Sequence, residues 1–481
     1  AQLGRPAGAL QAALVHYRRG NNETARRLYN EVLSGGASAA DRAAALFYLG
    51  ALAERRDEPA LAIENYTESF DTDPRGRLAD EALWARATVH EESDNPPTAQ
   101  ADYALIVERN TDFSRTAEAA FRNGNISYEA GQLDDARRRW SGSMNAARAD
   151  VAATSAFWAG RAAADRGDRA GAQAAWGEAV RRAPTDYYGL RAAAMLAGQA
   201  GAPRTGPSTL GVPASDWTVA EGWLAAWAGP EDTAAWSAVQ ASEDWRTSWE
   251  LAEAGWSRTA QDGFLTLLRR NADKPWLQYR AGRALAEGGF PRAAFTAGAN
   301  LTARAPAESP APTAIMHLRY PAPWSDLVQR FADERGLDPL LVYAMMRQES
   351  AFDPHAGSSA GAFGLTQFIE GTVMDVARAL GKNVSFTQLA RPALAIEFGA
   401  FYLAAQVRQF DGNVYQGLAA YNGGGGNSAR WRREAGNPSD VDRFQEEIDF
   451  SETESYIRLV MENYAWYRFL YGAAERPSIV R

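Results

Sequence analysis

Five alanines, Ala25, Ala62, Ala99, Ala136 and Ala172, recur at intervals of 37, 37, 37 and 36 residues. Each is followed four positions later by an aromatic: Tyr29, Tyr66, Tyr103, Trp140 and Trp176. Residues four apart share one face of an α-helix. A fixed period of a few tens of residues marks a unit that buries its apolar face only by stacking on its neighbours. Gly50, Gly124 and Gly160 each precede their alanine by twelve, which gives a second helix a bare spot where the first can touch it. Pro74 and Pro184 stand twelve after Ala62 and Ala172, where a helix has to end. The spacing predicts a solenoid of helix pairs over residues 8–196, with the aromatic column in its core.

The pattern resembles the tetratricopeptide repeat with slightly lengthened loops. Such an array offers a long face that either binds a partner protein or polymer or serves only as a frame. Residues 197–216, rich in Gly and Pro, read as a linker. Helical patterning returns over 217–303, dense in tryptophan: Trp217, Trp223, Trp227, Trp236, Trp245, Trp249 and Trp256. Such rings can stack on sugars, but here they are read first as fillers between helices. Gly282 and Ala294 keep the twelve-residue offset and suggest a degenerate sixth unit. Pro306, Pro310, Pro312, Pro321 and Pro323 mark a second boundary. No strand pattern stands out anywhere. The expected fold class is all-α, divided into 1–200 (repeat array), 201–311 (a helical domain continuing the array) and 312–481 (a separate helical domain).

Composition narrows the function. Of 481 residues, 46% are hydrophobic and 23% charged, which suits folded domains with sizeable cores. No uninterrupted apolar run is long enough to cross a bilayer. A net charge of −9 speaks against nucleic acid as a partner and gives no long-range attraction towards an anionic polymer. The absence of cysteine excludes disulfides, thiolate metal sites and cysteine nucleophiles. Four scattered histidines without a His-Glu-x-x-His pattern lead us to expect no metal and no cofactor. The chain begins Ala1-Gln2-Leu3-Gly4 with no charged-then-apolar leader, so any signal peptide is expected to have been removed already or never to have existed.

The candidate chemistry lies near residue 349. Asp338-Pro339 is a good helix start, with Asp as N-cap and Pro at the first helical position. The helix should stop near Ser350, since Asp353 precedes Pro354. Glu349 then falls in the last turn, on one stripe with Val342, Met345 and Met346. A carboxylate there loses hydration and feels the negative end of the helix dipole, and both raise its pKa towards the range of a general acid. An ordinary Glu reaching solvent at a helix end would satisfy the same periodicity. After it come Gly357, Gly361 and Gly364 with Ser358 and Ser359 between them, a loop of small residues from which Gln367 emerges.

Here the chain resembles the soluble lytic transglycosylases, whose catalytic domain has a goose-lysozyme-like fold. Arg347-Gln348-Glu349-Ser350 matches their Glu-Ser motif, Gly364-Leu365-Thr366-Gln367 is similar to Gly-Leu-Met-Gln, and Ala420-Tyr421-Asn422-Gly423-Gly424 to Ala-Tyr-Asn-Ala-Gly. The resemblance covers about residues 318–472. Asp186-Tyr187-Tyr188-Gly189-Leu190 is similar to a segment of the family's superhelical part. The resemblance implies cleavage of the β-1,4 bond between N-acetylmuramic acid and N-acetylglucosamine of peptidoglycan. Glu349 would protonate the glycosidic oxygen, then take the proton of the muramoyl 6-hydroxyl as it attacks C1, leaving a 1,6-anhydro end without consuming water. It further implies that Ser358 and Gln367 line the saccharide groove and that the Tyr421 hydroxyl approaches the catalytic carboxyl. Asn422 either joins the groove or caps its helix. Glu452 either contacts the peptide part of the substrate or serves the helix start, since Ser451 and Glu454 have capping-box spacing. The family pattern is broken at Thr366, at Phe368-Ile369-Glu370 and at Gly423, where the family has Met, Ile-Met-Pro and Ala. The resemblance also implies a monomer in the periplasm or cell envelope, with peptidoglycan strands as substrate and cell-wall synthesis proteins as partners of the repeats.

Two other readings stay open. A goose-type muramidase would hydrolyse the same bond with water and a second carboxylate. The acids nearest in sequence, Asp353, Glu370 and Asp375, are not singled out by spacing. A repeat scaffold that only binds glycan would need no acid at all.

Overall fold

The computed structural model describes residues 6–472 apart from 94, 110, 204–205, 207 and 212–215; the first residues, on which the signal-peptide reading rests, lie outside them. The chain is all-α. Helices follow one another throughout, and the described residues hold only isolated β-bridges and no strand. It divides into two compact units, Ala1–Gly198 and Gln199–Arg481.

The first unit runs from α1 (Pro6–Arg18) to α11 (Tyr187–Leu196), each helix packed on the next. The five periodic alanines and their aromatics are all buried. The glycines explain why. A Cβ on Gly50 of α3 (Ala39–Glu54) would lie 2.7 Å from the Tyr66 ring of α4 (Pro59–Thr72). One on Gly160 of α9 (Ala149–Asp165) would lie 2.5 Å from Trp176 of α10 (Arg169–Arg182), and Gly124 meets Trp140 in the same way. Tyr66, Trp140 and Trp176 therefore each fill a groove that glycine leaves open, while Ala13 and Ala87 stand at the equivalent positions before Tyr29 and Tyr103. The two indole N–H groups are satisfied by backbone nineteen residues back: Trp140 donates to Phe121 O and Trp176 to Phe157 O. α4 and α10 end two residues before Pro74 and Pro184, as the sequence requires.

The second unit opens with α12 (Trp217–Ala228) and continues to α17 (Pro291–Arg304) and α18 (Thr313–Arg319). Trp245 is buried with Phe264 and Phe290, and Trp236 and Trp249 pack against the same cluster. Trp217, Trp223 and Trp227 pack around Tyr279. Six of the seven rings are thus core fillers, and Trp256 is the exception at 65% exposed. Gly282 still marks a close helix crossing, but it meets Ala297, and the aromatic's position four after Ala294 is Gly298, which is why the sixth unit looked degenerate.

Residues 197–216 are not a free linker throughout. Ser208 Oγ donates to Asp338 (2.9 Å), Gln329 donates to Ser208 O (2.7 Å), and Leu210 N–H donates to Gln329 Oε1 (2.9 Å). Gly211 N–H reaches Tyr471 O at 2.8 Å. This strap satisfies backbone groups that an unattached linker would leave to water.

The rest of the unit comprises α19 (Ser325–Arg335), α20 (Pro339–Ser350), α21 (Glu370–Ala379), a 3-10 turn (Phe386–Ala390), α22 (Pro392–Gln409), α23 (Val414–Gly423), α24 (Gly425–Glu434), α25 (Val441–Glu446) and α26 (Ser451–Tyr471). Every residue from Pro339 to Met346 is buried, so α20 is the axis around which this part packs, chiefly against α26. Tyr343 and Tyr467 stack between them at 5.4 Å. Asp338 caps α20 on the Leu340 N–H (2.9 Å) and also accepts from the Tyr464 hydroxyl (2.6 Å). The four glycines after Asn422 stop α23, with Gly424 at φ +89°, but α24 begins at once. Its only buried side chains are Ser428 and Trp431, too few to show a period in the sequence.

Candidate active site

Glu349 lies in the last turn of α20, with Val342, Met345 and Met346 fully buried beneath it. Its Oε1 accepts a 2.7 Å hydrogen bond from the Tyr456 hydroxyl. Burial pushes the carboxyl from its ordinary 4.5 up to about 8; the Tyr456 hydrogen bond pulls the other way, and repulsion from Glu452 adds to the rise. Glu349 is therefore largely neutral at pH 7 and able to give up a proton.

The chain around it is tightly determined. α20 ends on two non-glycine residues in the left-handed region, Ala351 (φ 46°) and Phe352 (φ 66°), and Gln367 (φ 47°) is a third. Such backbone costs about 1 kcal/mol or more per residue and persists only where packing enforces it. Phe352, fully buried, supplies that packing. Ser350 Oγ donates to Leu365 O (3.0 Å), tying the loop over residues 357–368 to the end of the helix.

Within that loop Ser358 is exposed and turns on itself: its Oγ accepts from Ala362 N–H at 3.0 Å. Gln367 commits its amide hydrogens to Ala356 O (3.0 Å) and Gly364 O (2.8 Å), so the oxygen is what it can offer a ligand. The structure thus brings Glu349 and the Ser358–Gln367 loop into one piece of backbone.

Tyr421 feels the carboxyl without bonding to it. Its hydroxyl donates to Thr366 O (2.8 Å), not to the carboxyl, although the Glu349 charge still bears on it. A hydroxyl has one proton, and the buried Thr366 segment leaves its carbonyl in need of a donor. The hydrogen bond to Glu349 comes from Tyr456, which sequence reasoning missed. A signal existed: Tyr456, Tyr464, Tyr467 and Tyr471 share the buried stripe of α26, and each buried hydroxyl must find an acceptor. They find Glu349, Asp338, Pro321 O and Tyr320 O.

Asn422 accepts from Thr453 Oγ1 at 2.6 Å and so joins α23 to α26. Glu452 is exposed, one turn before Tyr456 on the same face of α26. The capping box does not form. Phe450 is the N-cap without a side-chain hydrogen bond, and Glu454 pairs with Arg458 at 2.7 Å. Of the other acids, Asp353 accepts from His355 N–H (2.9 Å), Asp375 pairs with Arg378, and Glu370 is exposed in the first turn of α21. No group of acids or histidines among the described residues could hold a metal ion.

The departures from the family pattern have local causes. The Thr366 side chain is buried against Gly399, where no Cβ would fit. Phe368 packs against Tyr402 and Tyr421 at 5.4 and 5.8 Å. A Cβ on Gly423 would stand 2.9 Å from both the Trp431 ring and Thr453 Oγ1, so alanine is excluded there.

A family model described as "Transglycosylase SLT domain" matches residues 326–444. This part of the chain is similar to an SLT domain. Glu349, the Ser358–Gln367 loop, Tyr421 and Asn422 all fall inside the match; Tyr456 and Glu452 lie just beyond it. The soluble lytic murein transglycosylase of Escherichia coli strain K12 is 32% identical over 164 residues, 34% of this chain and 25% of that protein. Its Salmonella typhimurium counterpart is 33% identical over 159 residues, 33% of this chain and 25% of that protein. The matches thus span about a quarter of the length of these curated relatives. Similarity of fold extends much further. The 70 kDa soluble lytic transglycosylase of E. coli aligns at a TM-score of 0.67 with 18% identity, over 99% of this chain and 74% of that one. An inactive variant of lytic transglycosylase Slt from Pseudomonas aeruginosa aligns at 0.63 with 19% identity, over 96% and 73%. The matched region therefore sits in a chain whose helical fold resembles theirs almost throughout.

Proposed function

We propose that this chain is a peptidoglycan lytic transglycosylase. It cleaves the β-1,4 bond between N-acetylmuramic acid and N-acetylglucosamine and closes the muramoyl 6-hydroxyl onto C1. The observation that carries the reading is Glu349, a partly buried carboxyl held by Tyr456 and kept protonated near pH 7 within a region similar to an SLT domain. Protonated, it gives its proton to the leaving glycosidic oxygen. The carboxylate left behind is a strong base in the same place and takes the 6-hydroxyl proton, so one group serves both halves of the reaction. Tyr456 fixes the carboxyl's orientation, and Gln367, Ser358 and Asn422 border the saccharide site. Glu452 bears on Glu349 through its charge but shares no hydrogen bond with it, an arrangement that tunes the acid better than it would activate a water for hydrolysis.

The substrate places the protein in the periplasm or cell envelope. No helix among the described residues is long and apolar enough to cross a membrane. The repeat unit is the surface on which cell-wall synthesis proteins would dock, with the enzyme acting as a monomer. Mass spectrometry of digested sacculi tests the reading: the wild type yields muropeptides one water lighter than hydrolysed ones, and Glu349→Gln yields none. Reducing-end products would establish a muramidase instead, and undiminished activity of the variant would leave only a glycan-binding scaffold.

A further inference from the structure

Arg292 lies in the first turn of α17, a helix that precedes the matched region in the chain. Its guanidinium sits over the Phe295 ring, 5.5 Å from the centroid. Arg347, two residues before Glu349, approaches the same ring at 5.0 Å. The two cations differ in one respect. Arg347 is used by the fold: it donates to Asn463 Oδ1 and to Arg319 O and lies 4.1 Å over Tyr320. Arg292 makes no side-chain hydrogen bond or ion pair with any described residue.

Two features of its position oppose its charge, and a third favours it only at a distance. The side chain is partly buried, and burial pushes its pKa below the usual arginine value. It stands at the positive end of a helix dipole, where anions are favoured over cations. The acid that bears on it is Asp353, four residues beyond Glu349, whose Oδ1 is engaged by His355 N–H without reaching the guanidinium as an ion pair. The Phe295 ring and the Asp353 charge offset part of these costs, but neither takes a hydrogen bond from Arg292, and the N–H donors of the guanidinium have no hydrogen-bond partner among the described residues.

We propose that Arg292 is a substrate-specificity residue that binds a carboxylate of the acidic peptide carried by the glycan strand. The inference rests on the transglycosylase reading above. A guanidinium matches a carboxylate with two parallel hydrogen bonds, which an ammonium does not. It also supplies locally the attraction that a chain of net charge −9 lacks at long range. Recognition of the peptide would then come partly from outside the matched region.

The test compares full-length wild type, Arg292→Gln and Arg292→Lys on peptide-bearing glycan and on the same glycan stripped of peptide, reading anhydro products. On peptide-bearing glycan Arg292→Gln should raise KM about ten-fold with kcat within about two-fold, the loss of one charge-assisted pair. Arg292→Lys should fall between. On stripped glycan all three should be alike. Wild type acting on glycan whose peptide carboxylates are amidated should show the raised KM without any substitution, which keeps the test valid if the variants fold poorly. Equal losses on both substrates would overturn the proposal and assign Arg292 to the loop through Asp353. No anhydro product from the wild type on either glycan would instead overturn the transglycosylase reading on which it rests.

Discussion

Replacing Glu349 by Gln should stabilise the protein, and by an amount that depends on pH. The carboxyl titrates at about 4.5 when unfolded and at about 8 in the fold. A group whose folded pKa is raised contributes stability that is fully present below the unfolded pKa and lost as pH rises through the folded one. Each pH unit between the two values is worth about 1.4 kcal/mol. The wild type therefore gives up about 3 kcal/mol between pH 4.5 and pH 7 and about 5 kcal/mol by pH 8, after which the loss stops. The amide introduced by Glu349→Gln has the shape of the neutral acid, can still accept from Tyr456, and does not titrate. Urea denaturation of both proteins at 25 °C from pH 4 to pH 9 should give equal stabilities at the acid end. The variant should then pull ahead steadily to pH 8, with a constant gap beyond. A difference independent of pH would refute the claim that burial holds this carboxyl neutral.

Other outcomes follow from the same geometry. Glu452→Gln removes a repelling charge, so the alkaline limb of the pH–rate profile should move to lower pH. Tyr456→Phe removes the hydrogen bond that favours the carboxylate, so the limb should move up while kcat falls about ten-fold from lost orientation. Shifts of the same sign in the two variants would contradict the assignment. Gly160→Ala should destabilise the repeat unit by about 1–3 kcal/mol because the added methyl meets Trp176; an unchanged denaturation midpoint would show that the groove yields. Ser208→Ala should cost the second unit about 1 kcal/mol by taking one donor from Asp338, seen as earlier unfolding with unchanged KM; an unchanged midpoint would show the strap to be incidental.

The repeat unit was readable because its packing rule is local. Alanine, aromatic and glycine at fixed offsets are the three faces of one helix contact, and each is visible in the chain. The Glu349 helix was readable for the same reason, from its N-cap, its Pro and its apolar stripe. What was hidden depends on contacts between distant segments. Nothing near Tyr456 says that its hydroxyl meets residue 349, over a hundred positions earlier. Tyr421 sat in a recognisable motif, yet its proton goes to Thr366, because a buried carbonyl in need of a donor cannot be seen from sequence. Ser208–Gly211 read as linker since its composition is that of a loop, while its hydrogen bonds run to Asp338, Gln329 and Tyr471. α24 was missed because a run of glycines masked the restart of a helix with one buried aromatic.

If the acid's own proton cycle breaks the glycan, no water enters as a reactant. Digesting sacculi in water enriched in heavy oxygen and weighing the new saccharide ends tests this most directly. The new ends should carry no heavy oxygen and should be missing with Glu349→Gln; heavy oxygen at the new C1 would show that water is the acceptor.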